Sequence, residues 1–475
     1  MIKNICLSLS LLLLFTHAQA ENWEHLFDNP KYQNVKISPD GKHLAVAMDT
    51  KGKRSLAFLN RKTMKYVGGA KLPDNNEVGE YFWANNERVV IKINRQEPWD
   101  RKSKFIGELY AINANGSDGR MIHGYSDLVA ERPSQKSGKF KKKKQIKGWA
   151  NVINTLPDNK KNILISSTPW DELSEKAEDN ELASVYKLNV YNGKISKKRI
   201  AKSPIPYATF LSDTDGELKA VYGIDKKNST QLYFRKNKKW QHISSEKFGG
   251  FFHPVAINNG GTHLLAIDNF NQDIAGLFKM DLSNGSYKNI FTDEKVDITD
   301  VEVTKDSNNM YALRVDDGFP AYLMTNQSFR EAQVFKGLVG AFPNQKMNIT
   351  SKSDDDKLFV VAVSSDIEAG RFYLYDSEEN KLSSLLSYFP QMKPDQLAYK
   401  DPFSFTATDG TPISGYFTKA KYLKEGEKAP LVVLVHGGPN SRDYWGYSSQ
   451  TQYLALNGYS VLEVNFRGST GFGVK

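Results

Sequence analysis

A motif with a period of about 46 residues returns along most of this chain: a polar turn rich in Asp, Asn and Gly, then a short apolar run. Counted from residues 37, 83, 155, 211, 257, 303 and 351, the spacings are 46, 72, 56, 46, 46 and 48. The turns have the composition of β-hairpins, and the stretches that follow alternate between apolar and polar positions as half-buried strands do. A repeat of this kind limits the fold to architectures that stack similar units.

Repeats of about 40–50 residues with roughly four strands each are typical of propeller blades, because one four-stranded sheet cannot bury both of its faces alone. The sequence therefore predicts an all-β propeller over residues 21–395, with seven blades. An irregular β-sandwich is the alternative, but it does not explain the even spacing. The longest interval contains a lysine-rich insertion at residues 136–147.

The first twenty residues have the pattern of a secretory signal peptide. Lys3 provides a basic start, residues 5–15 are apolar, and Ala18-Gln19-Ala20 forms a small-x-small cleavage site before Glu21. We therefore expect an exported protein, periplasmic or secreted. The only cysteine, Cys6, lies inside this segment, so disulfides are not expected in the mature chain.

The chain carries a formal net charge of +10, and much of the excess comes from seven lysines within residues 136–147. Such a cluster suggests either a nucleic-acid patch or a solvated insertion loop, and export favours the loop. We expect no nucleic-acid partner. Beyond the signal, no apolar run approaches the ~20 residues that a membrane-spanning helix needs.

The pattern changes after the prolines at residues 390 and 394. Two apolar stretches, residues 403–408 and 413–418, flank a hairpin turn, Asp409-Gly410-Thr411-Pro412. Residues 431–435 form a continuous apolar run, as a strand buried on both faces requires, and a short helix at 450–457 ending before Gly458 and a strand at 459–464 follow it. Residues 396–475 are thus predicted to begin an α/β-hydrolase domain.

Several motifs in this segment resemble the prolyl oligopeptidase family of serine peptidases, in particular its acylaminoacyl-peptidase and dipeptidyl-peptidase-like branch. They are His436-Gly437-Gly438-Pro439, Arg442-Asp443, Trp445-Gly446 and Asn465-Phe466-Arg467-Gly468-Ser469-Thr470-Gly471-Phe472-Gly473. The hairpin turn before them looks like that family's entry into its hydrolase domain, and a propeller that precedes the hydrolase is its domain order. The resemblance is specific over residues 395–475 and architectural over the propeller.

The resemblance implies a serine peptidase that cleaves short peptides, without a cofactor, and it assigns one backbone donor of the oxyanion hole to Gly438. It implies loop-structuring roles for the other motif residues, in which Arg442 and Asp443 would pair with one another or with Arg467; the residues concerned are His436, Gly437, Pro439, Arg442, Asp443 and Arg467. In this fold the nucleophile lies on a later G-x-S-x-G elbow, followed by the acid and the histidine. These 475 residues contain no G-x-S-x-G. We therefore expect the triad beyond Lys475, and an inactive chain as given.

No metal site is predicted, since the remaining histidines have no ligand spacing. Asp213-Thr214-Asp215-Gly216 lacks the glutamate of a calcium loop and fits a turn better. The glycines at 468–473 lack the dinucleotide-binding order. Two other functions remain open: an exported, non-catalytic propeller that binds a partner through its blades and carries a vestigial hydrolase segment, and an esterase built on the same two domains.

Overall fold

The computed structural model describes residues 23–125, 148–169, 182–258, 260–305, 309–438 and 440–474. The predicted signal peptide, the lysine-rich insertion and Pro439 lie outside these residues. The regular secondary structure of the described chain is nearly all β-strand, as expected. Its two α-helices, counted within these ranges, are α1 (Arg330–Ala341) and α2 (Ser449–Leu456). Three short 3-10 helices occupy Glu24–Phe27, Ser245–Lys247 and Pro394–Gln396.

Seven antiparallel sheets follow one another along the described residues up to Ser387, each built from consecutive strands. Sheets 1 to 3 contain β1 (Tyr32–Ile37), β2 (His43–Thr50), β3 (Lys53–Asn60) and β4 (Tyr66–Ala70); β5 (Asn76–Trp83), β6 (Arg88–Arg95), β7 (Lys104–Asn113) and β8 (Arg120–His123); and β9 (Gly148–Asn154), β10 (Asn162–Pro169), β11 (Ser184–Asn189) and β12 (Ala201–Lys202).

Sheets 4 and 5 contain β13 (Thr209–Ser212), β14 (Leu218–Ile224), β15 (Thr230–Lys236) and β16 (Lys239–Ile243), then β17 (His253–Ile257), β18 (His263–Asp268), β19 (Gly276–Asp281) and β20 (Tyr287–Phe291). Sheets 6 and 7 contain β21 (Ile298–Val303), β22 (Met310–Asp317) and β23 (Phe319–Met324), then β24 (Lys346–Lys352), β25 (Leu358–Ser364), β26 (Arg371–Asp376) and β27 (Lys381–Ser387). Sheet 6 has three described strands, and helix α1 follows the third.

Each repeat of the sequence motif coincides with the turn between the first and second strands of one sheet. A polar side chain closes these turns by accepting backbone N–H bonds. Asn258 Oδ1 accepts from Thr262 N and His263 N at 3.0 and 2.7 Å, and Ser353 Oγ accepts from Leu358 N at 3.1 Å. The repeated Asp, Asn and Ser residues are therefore explained by turn chemistry.

Neighbouring sheets share hydrophobic cores, and the seventh sheet also packs against the first. The core between these two contains Val35, Ile37, Leu44, Val360 and Phe372. Two hydrogen bonds reinforce the contact: Ile37 N donates to Ser351 Oγ at 2.8 Å, and Asp354 N donates to Pro39 O at 2.7 Å. The contacts between sheets thus close on themselves, and these features are those of a β-propeller.

The last sheet consists of β28 (Lys400–Thr406), β29 (Pro412–Thr418), β30 (Leu431–Leu434) and β31 (Ser460–Asn465), in the order β28-β29-β31-β30. Only β30 and β31 are parallel to each other. The predicted hairpin, helix and second strand are all present within this segment. Ser448 caps helix α2 by accepting a hydrogen bond from Thr451 N at 3.3 Å, and Gly458 follows the helix with φ 87°.

In the 475-residue chain the apolar run at residues 431–435 is not buried on both faces. Leu431, Val433 and Val435 are 54%, 54% and 60% exposed. The reason is that β30 is the edge strand of this sheet, paired only with β31, and no described element covers that face.

The last sheet is joined to the propeller around Gln452 of helix α2. Its side-chain Nε2 donates to Ala398 O at 2.8 Å and to Asp366 O at 3.1 Å, while its Oε1 accepts from Ala398 N at 2.8 Å. Asp366 lies in the turn between β25 and β26, and its Oδ2 accepts from Lys400 N at 2.7 Å. Beside this junction, Leu26 packs against Leu397 and Leu456.

Candidate functional site

The loop with His436, Gly437 and Gly438 begins at the carboxyl end of β30. Because β30 and β31 are parallel, their carboxyl ends meet at one edge of the sheet, and this loop faces the residues that follow β31. His436 Nε2 lies 2.8 Å from Ser469 Oγ, and the His436 ring stacks on Phe466 with centroids 4.4 Å apart. These contacts fix the loop to the segment after β31.

The hydrogen bonds of His436 define its tautomer. Nδ1 lies 2.8 Å from Gly437 O, and a carbonyl oxygen can only accept, so Nδ1 carries the proton. In this tautomer Nε2 accepts from the Ser469 hydroxyl. Ser469 is 8% exposed and lies in a turn, in which its N–H donates to Phe466 O at 3.0 Å. The arrangement fits a loop-structuring role for His436.

The two glycines of the loop differ in what surrounds them. A Cβ on Gly437 would meet nothing within 4 Å, whereas a Cβ on Gly438 would lie 3.1 Å from Asn440 N. Gly438 therefore lets the backbone turn back closely on itself. Close approach of a backbone N–H is what an oxyanion donor requires.

Arg442 and Asp443 do not pair as the sequence suggested, and the expectation is wrong. Arg442 Nη2 donates to Asp316 O at 3.0 Å and Nη1 to Gly471 O at 3.3 Å. The guanidinium lies 4.8 and 4.2 Å from the ring centroids of Tyr444 and Phe472. It is held by carbonyls and aromatic faces, because the strand ends around it offer carbonyl oxygens rather than a carboxylate.

Asp443 is held through its backbone. Asn465 at the end of β31 accepts from Asp443 N at 2.7 Å and donates to Asp443 O at 3.2 Å. Burial, followed by the nearby Glu463, raises the pKa of the Asp443 carboxyl, while His436, Lys400 and Arg442 oppose that shift. Arg467 pairs with Asp409 at 2.6 Å instead, which joins the segment after β31 to the β28–β29 turn.

A buried ion pair, which was not predicted, lies next to the loop that carries Arg442 and Asp443. Lys400 Nζ and Glu463 Oε2 are 2.8 Å apart, with side chains only 3% and 6% exposed. Trp445 Nε1 donates to Lys400 O at 2.8 Å, which fixes the loop that carries Arg442 and Asp443. The signal in the sequence was Glu463, a single charge inside an otherwise apolar predicted strand.

The other singled-out motifs form no site. Asp213 Oδ1 accepts from Glu217 N at 2.8 Å and Asp213 Oδ2 pairs with Lys219 at 3.1 Å, so this loop is a closed turn. Among the described residues no group of three or more potential ligands is placed to hold a metal ion. Within the same residues no helix has the length and apolarity to cross a membrane.

No family model matches the chain. Among curated proteins it is 25% identical over 457 residues to dipeptidyl aminopeptidase BIII of Pseudoxanthomonas mexicana, covering 94% of this chain and 61% of that protein. It is 24% identical over 497 residues to dipeptidyl peptidase family member 6 of Caenorhabditis elegans, covering 97% and 63%. The chain thus spans less than two thirds of the length of these relatives.

Among solved structures, prolyl oligopeptidase B from Galerina marginata has the same fold, with a TM-score of 0.58 at 12% identity over 96% of this chain and 66% of that chain. Together with the curated relatives, this fold confirms the resemblance seen in the sequence. The family that the chain resembles is the prolyl oligopeptidase family of peptidases.

Proposed function

We propose that this protein is an exported serine peptidase of the prolyl oligopeptidase type that cleaves short peptides. The observation that carries the proposal is the geometry of the loop with Gly438. His436 in this loop lies 2.8 Å from Ser469 Oγ through its Nε2, and the loop begins at the carboxyl end of β30, which is parallel to β31. A peptide carbonyl beside this loop would receive a hydrogen bond from a fixed backbone N–H. Such a donor stabilises a developing oxyanion by about 3 kcal/mol.

The proposal includes the architecture. The seven sheets are the blades of one propeller, and the last sheet begins an α/β-hydrolase domain. In favour of seven blades are the shared cores between successive sheets and the contact of the seventh sheet with the first. In favour of a hydrolase domain is the order β28-β29-β31-β30, in which an antiparallel hairpin leads into a parallel pair with helix α2 between its strands.

The proposal also assigns the triad to residues that follow Lys475 in a full-length form. Two observations support this assignment. The 475 residues contain no G-x-S-x-G, and the chain covers about three fifths of the length of each of the two curated relatives. The 475-residue chain would then be inactive by itself. Export rests on the signal-peptide pattern of residues 1–20.

The test is active-site labelling of the full-length form with a fluorophosphonate probe, followed by mapping of the modified serine. We expect one labelled serine on a G-x-S-x-G elbow after residue 475, and no labelling of the 475-residue chain under the same conditions. Labelling of a serine among residues 21–475 would contradict the proposal.

The full-length form should also cleave dipeptidyl amides as well as esters. Hydrolysis of esters alone would favour the esterase. If the reading frame supplies no serine elbow and no labelling occurs, the non-catalytic binding propeller becomes the better account.

A further inference from the structure

The segment of residues 469–474, which follows β31, contacts two different parts of the molecule. At its start, Ser469 Oγ lies 2.8 Å from His436 Nε2. The next residue, Thr470, donates its N–H to Ser441 O at 3.0 Å. His436 and Ser441 lie on either side of Gly438 in the same loop. The first half of the segment therefore packs along the candidate oxyanion loop.

The second half of the segment is attached to the propeller. Gly471 O accepts a hydrogen bond of 3.0 Å from Asp297 N, immediately before β21 of sheet 6. Val474 N donates to Asp273 Oδ1 at 2.8 Å, in the connection between β18 and β19 of sheet 5. These two propeller connections are joined to each other, because Ala275 N donates to Asp297 Oδ1 at 2.7 Å. They form a single anchor for the segment.

The course of this segment depends on the groups that bind it. Gly471 and Gly473 have φ values of 85° and 86°, a backbone conformation that glycine adopts easily but cannot maintain by itself. A Cβ on Gly473 would lie 2.8 Å from Asp273 Cγ, so the carboxylate packs directly against the backbone there. Hydrogen bonds from N–H groups to a carboxylate are about twice as strong as those between neutral groups. Asp273 is therefore well placed to fix the end of the segment.

We propose that Asp273 is a positioning residue for the oxyanion loop. From the propeller it holds segment 469–474 in the course in which Ser469 reaches His436, and His436 in turn fixes the backbone around Gly438. The inference deepens the proposed function and rests on it only in taking Gly438 as an oxyanion donor. Loop, segment and Asp273 all belong to the 475-residue chain, so the positioning can be measured there without peptidase activity.

The first measurement is amide hydrogen exchange of the 475-residue chain, read by mass spectrometry of its peptides. Asp273→Ala removes the acceptor of Val474 N, and we expect residues 436–445 to exchange about 10-fold faster or more, with residues 32–70 of sheet 1 unchanged. Asp273→Asn keeps an acceptor oxygen and should restore most of the protection. Asp215→Ala, exposed in the turn between β13 and β14, is the matched control and should change nothing.

The second measurement is the pair of ring ¹⁵N resonances of His436, identified by their loss in His436→Gln. In the natural chain they should show a proton on Nδ1, which is bonded to Gly437 O. In Asp273→Ala they should move towards the values of a ring that exchanges between both tautomers, and Asp273→Asn should resemble the natural chain. Unchanged resonances together with faster exchange only at residues 471–474 would overturn the inference, since Asp273 would then hold nothing but the end of the segment.

The consequence for catalysis can be measured in the full-length form. Asp273→Ala should lower kcat for a dipeptidyl amide about 10-fold, with little change in KM, because the oxyanion donor is displaced while the substrate still binds. Asp273→Asn should stay within about twofold of the natural protein. An unchanged kcat in Asp273→Ala would overturn the positioning role and leave the proposed peptidase standing. A full-length form that cleaves no peptide would contradict the proposed function, while the exchange and resonance measurements would still decide whether Asp273 positions the loop.

Discussion

Arg442 Nη2 donates a hydrogen bond of 3.0 Å to the backbone carbonyl of Asp316, 126 residues earlier in the chain. The contact joins the loop that follows Gly438 to the second strand of sheet 6. The two aromatic rings beside the guanidinium, Tyr444 and Phe472, hold it without a carboxylate partner. The relationship ties the candidate oxyanion loop directly to the propeller.

Replacing Arg442 should therefore weaken the attachment of the last sheet. Arg442→Met removes the side-chain donor to Asp316 O and one of two donors to Gly471 O, which also accepts from Asp297 N, and it removes the charge between the two rings. We therefore expect a loss of about 2–3 kcal/mol in unfolding free energy. The measurement is urea unfolding. Arg467→Met removes only an exposed pair with Asp409 and serves as the control, with no resolvable change expected. A loss as large for the control as for Arg442→Met would contradict the role given to Arg442.

Gln452 offers a second test of the junction, on the propeller side of helix α2. Gln452→Leu leaves the amide and carbonyl of Ala398 and the carbonyl of Asp366 without partners in a buried place. We expect a loss of about 2–4 kcal/mol and faster proteolysis near residue 398, measured by thermal unfolding and limited digestion. Gln450→Leu, exposed on the same helix, is the matched control, and an equal effect of both variants would show that the junction is not held by Gln452.

The contributions of Lys400 and Glu463 to the stability of the protein should depend on each other. Lys400→Met leaves an unpaired carboxylate beneath the loop and should cost about 3–5 kcal/mol. The double variant Lys400→Met/Glu463→Gln should lose less than the sum of the two single variants. A double-mutant cycle measures this coupling, and additive losses would mean that the two charges do not depend on each other.

Much of the fold follows from the sequence because it depends on local chemistry. The seven turns are recognisable since they use Asp, Asn, Ser or Gly, and Asn258 shows why: its side-chain Oδ1 accepts two backbone N–H bonds within the turn. The hairpin around Asp409 and Gly410 is recognisable for the same reason. Helix α1, at residues 330–341, was not predicted.

The partners of the loop residues could not be predicted, because they lie far away in sequence. The binding of Arg442 to Asp316 depends on how the last sheet sits on sheet 6, which no local pattern encodes. Likewise, the exposure of Val433 follows from the position of β30 at the sheet edge. An apolar run in the sequence indicates only that the strand can be buried. What surrounds it is decided by the packing of neighbouring elements.

The pKa of Glu302 is raised by burial, with Asp300 adding to it, and this predicts a pH dependence of stability. Its value of about 8 lies far above the 4.5 of the free side chain, so between these values the folded state holds a proton that the unfolded state has lost. The contribution of Glu302 to stability is thus largest at low pH and falls as the pH rises towards 8. Glu302→Gln does not titrate. Its melting temperature relative to the natural protein should therefore increase from pH 5 to pH 8.5, and a constant difference would contradict this environment for Glu302.

The comparison of Gly438 with Gly437 tests the central claim most directly, which is that this loop supplies an oxyanion donor of a serine peptidase. In the full-length form, Gly438→Ala forces a Cβ to within 3.1 Å of Asn440 N and displaces the donor, whereas Gly437→Ala meets nothing within 4 Å. The measurement is kcat for hydrolysis of a dipeptidyl amide, with KM determined alongside. We expect Gly438→Ala to lower kcat by about 10²–10³-fold with little change in KM, and Gly437→Ala to stay within about threefold of the natural protein. An unchanged kcat in folded Gly438→Ala would contradict the account.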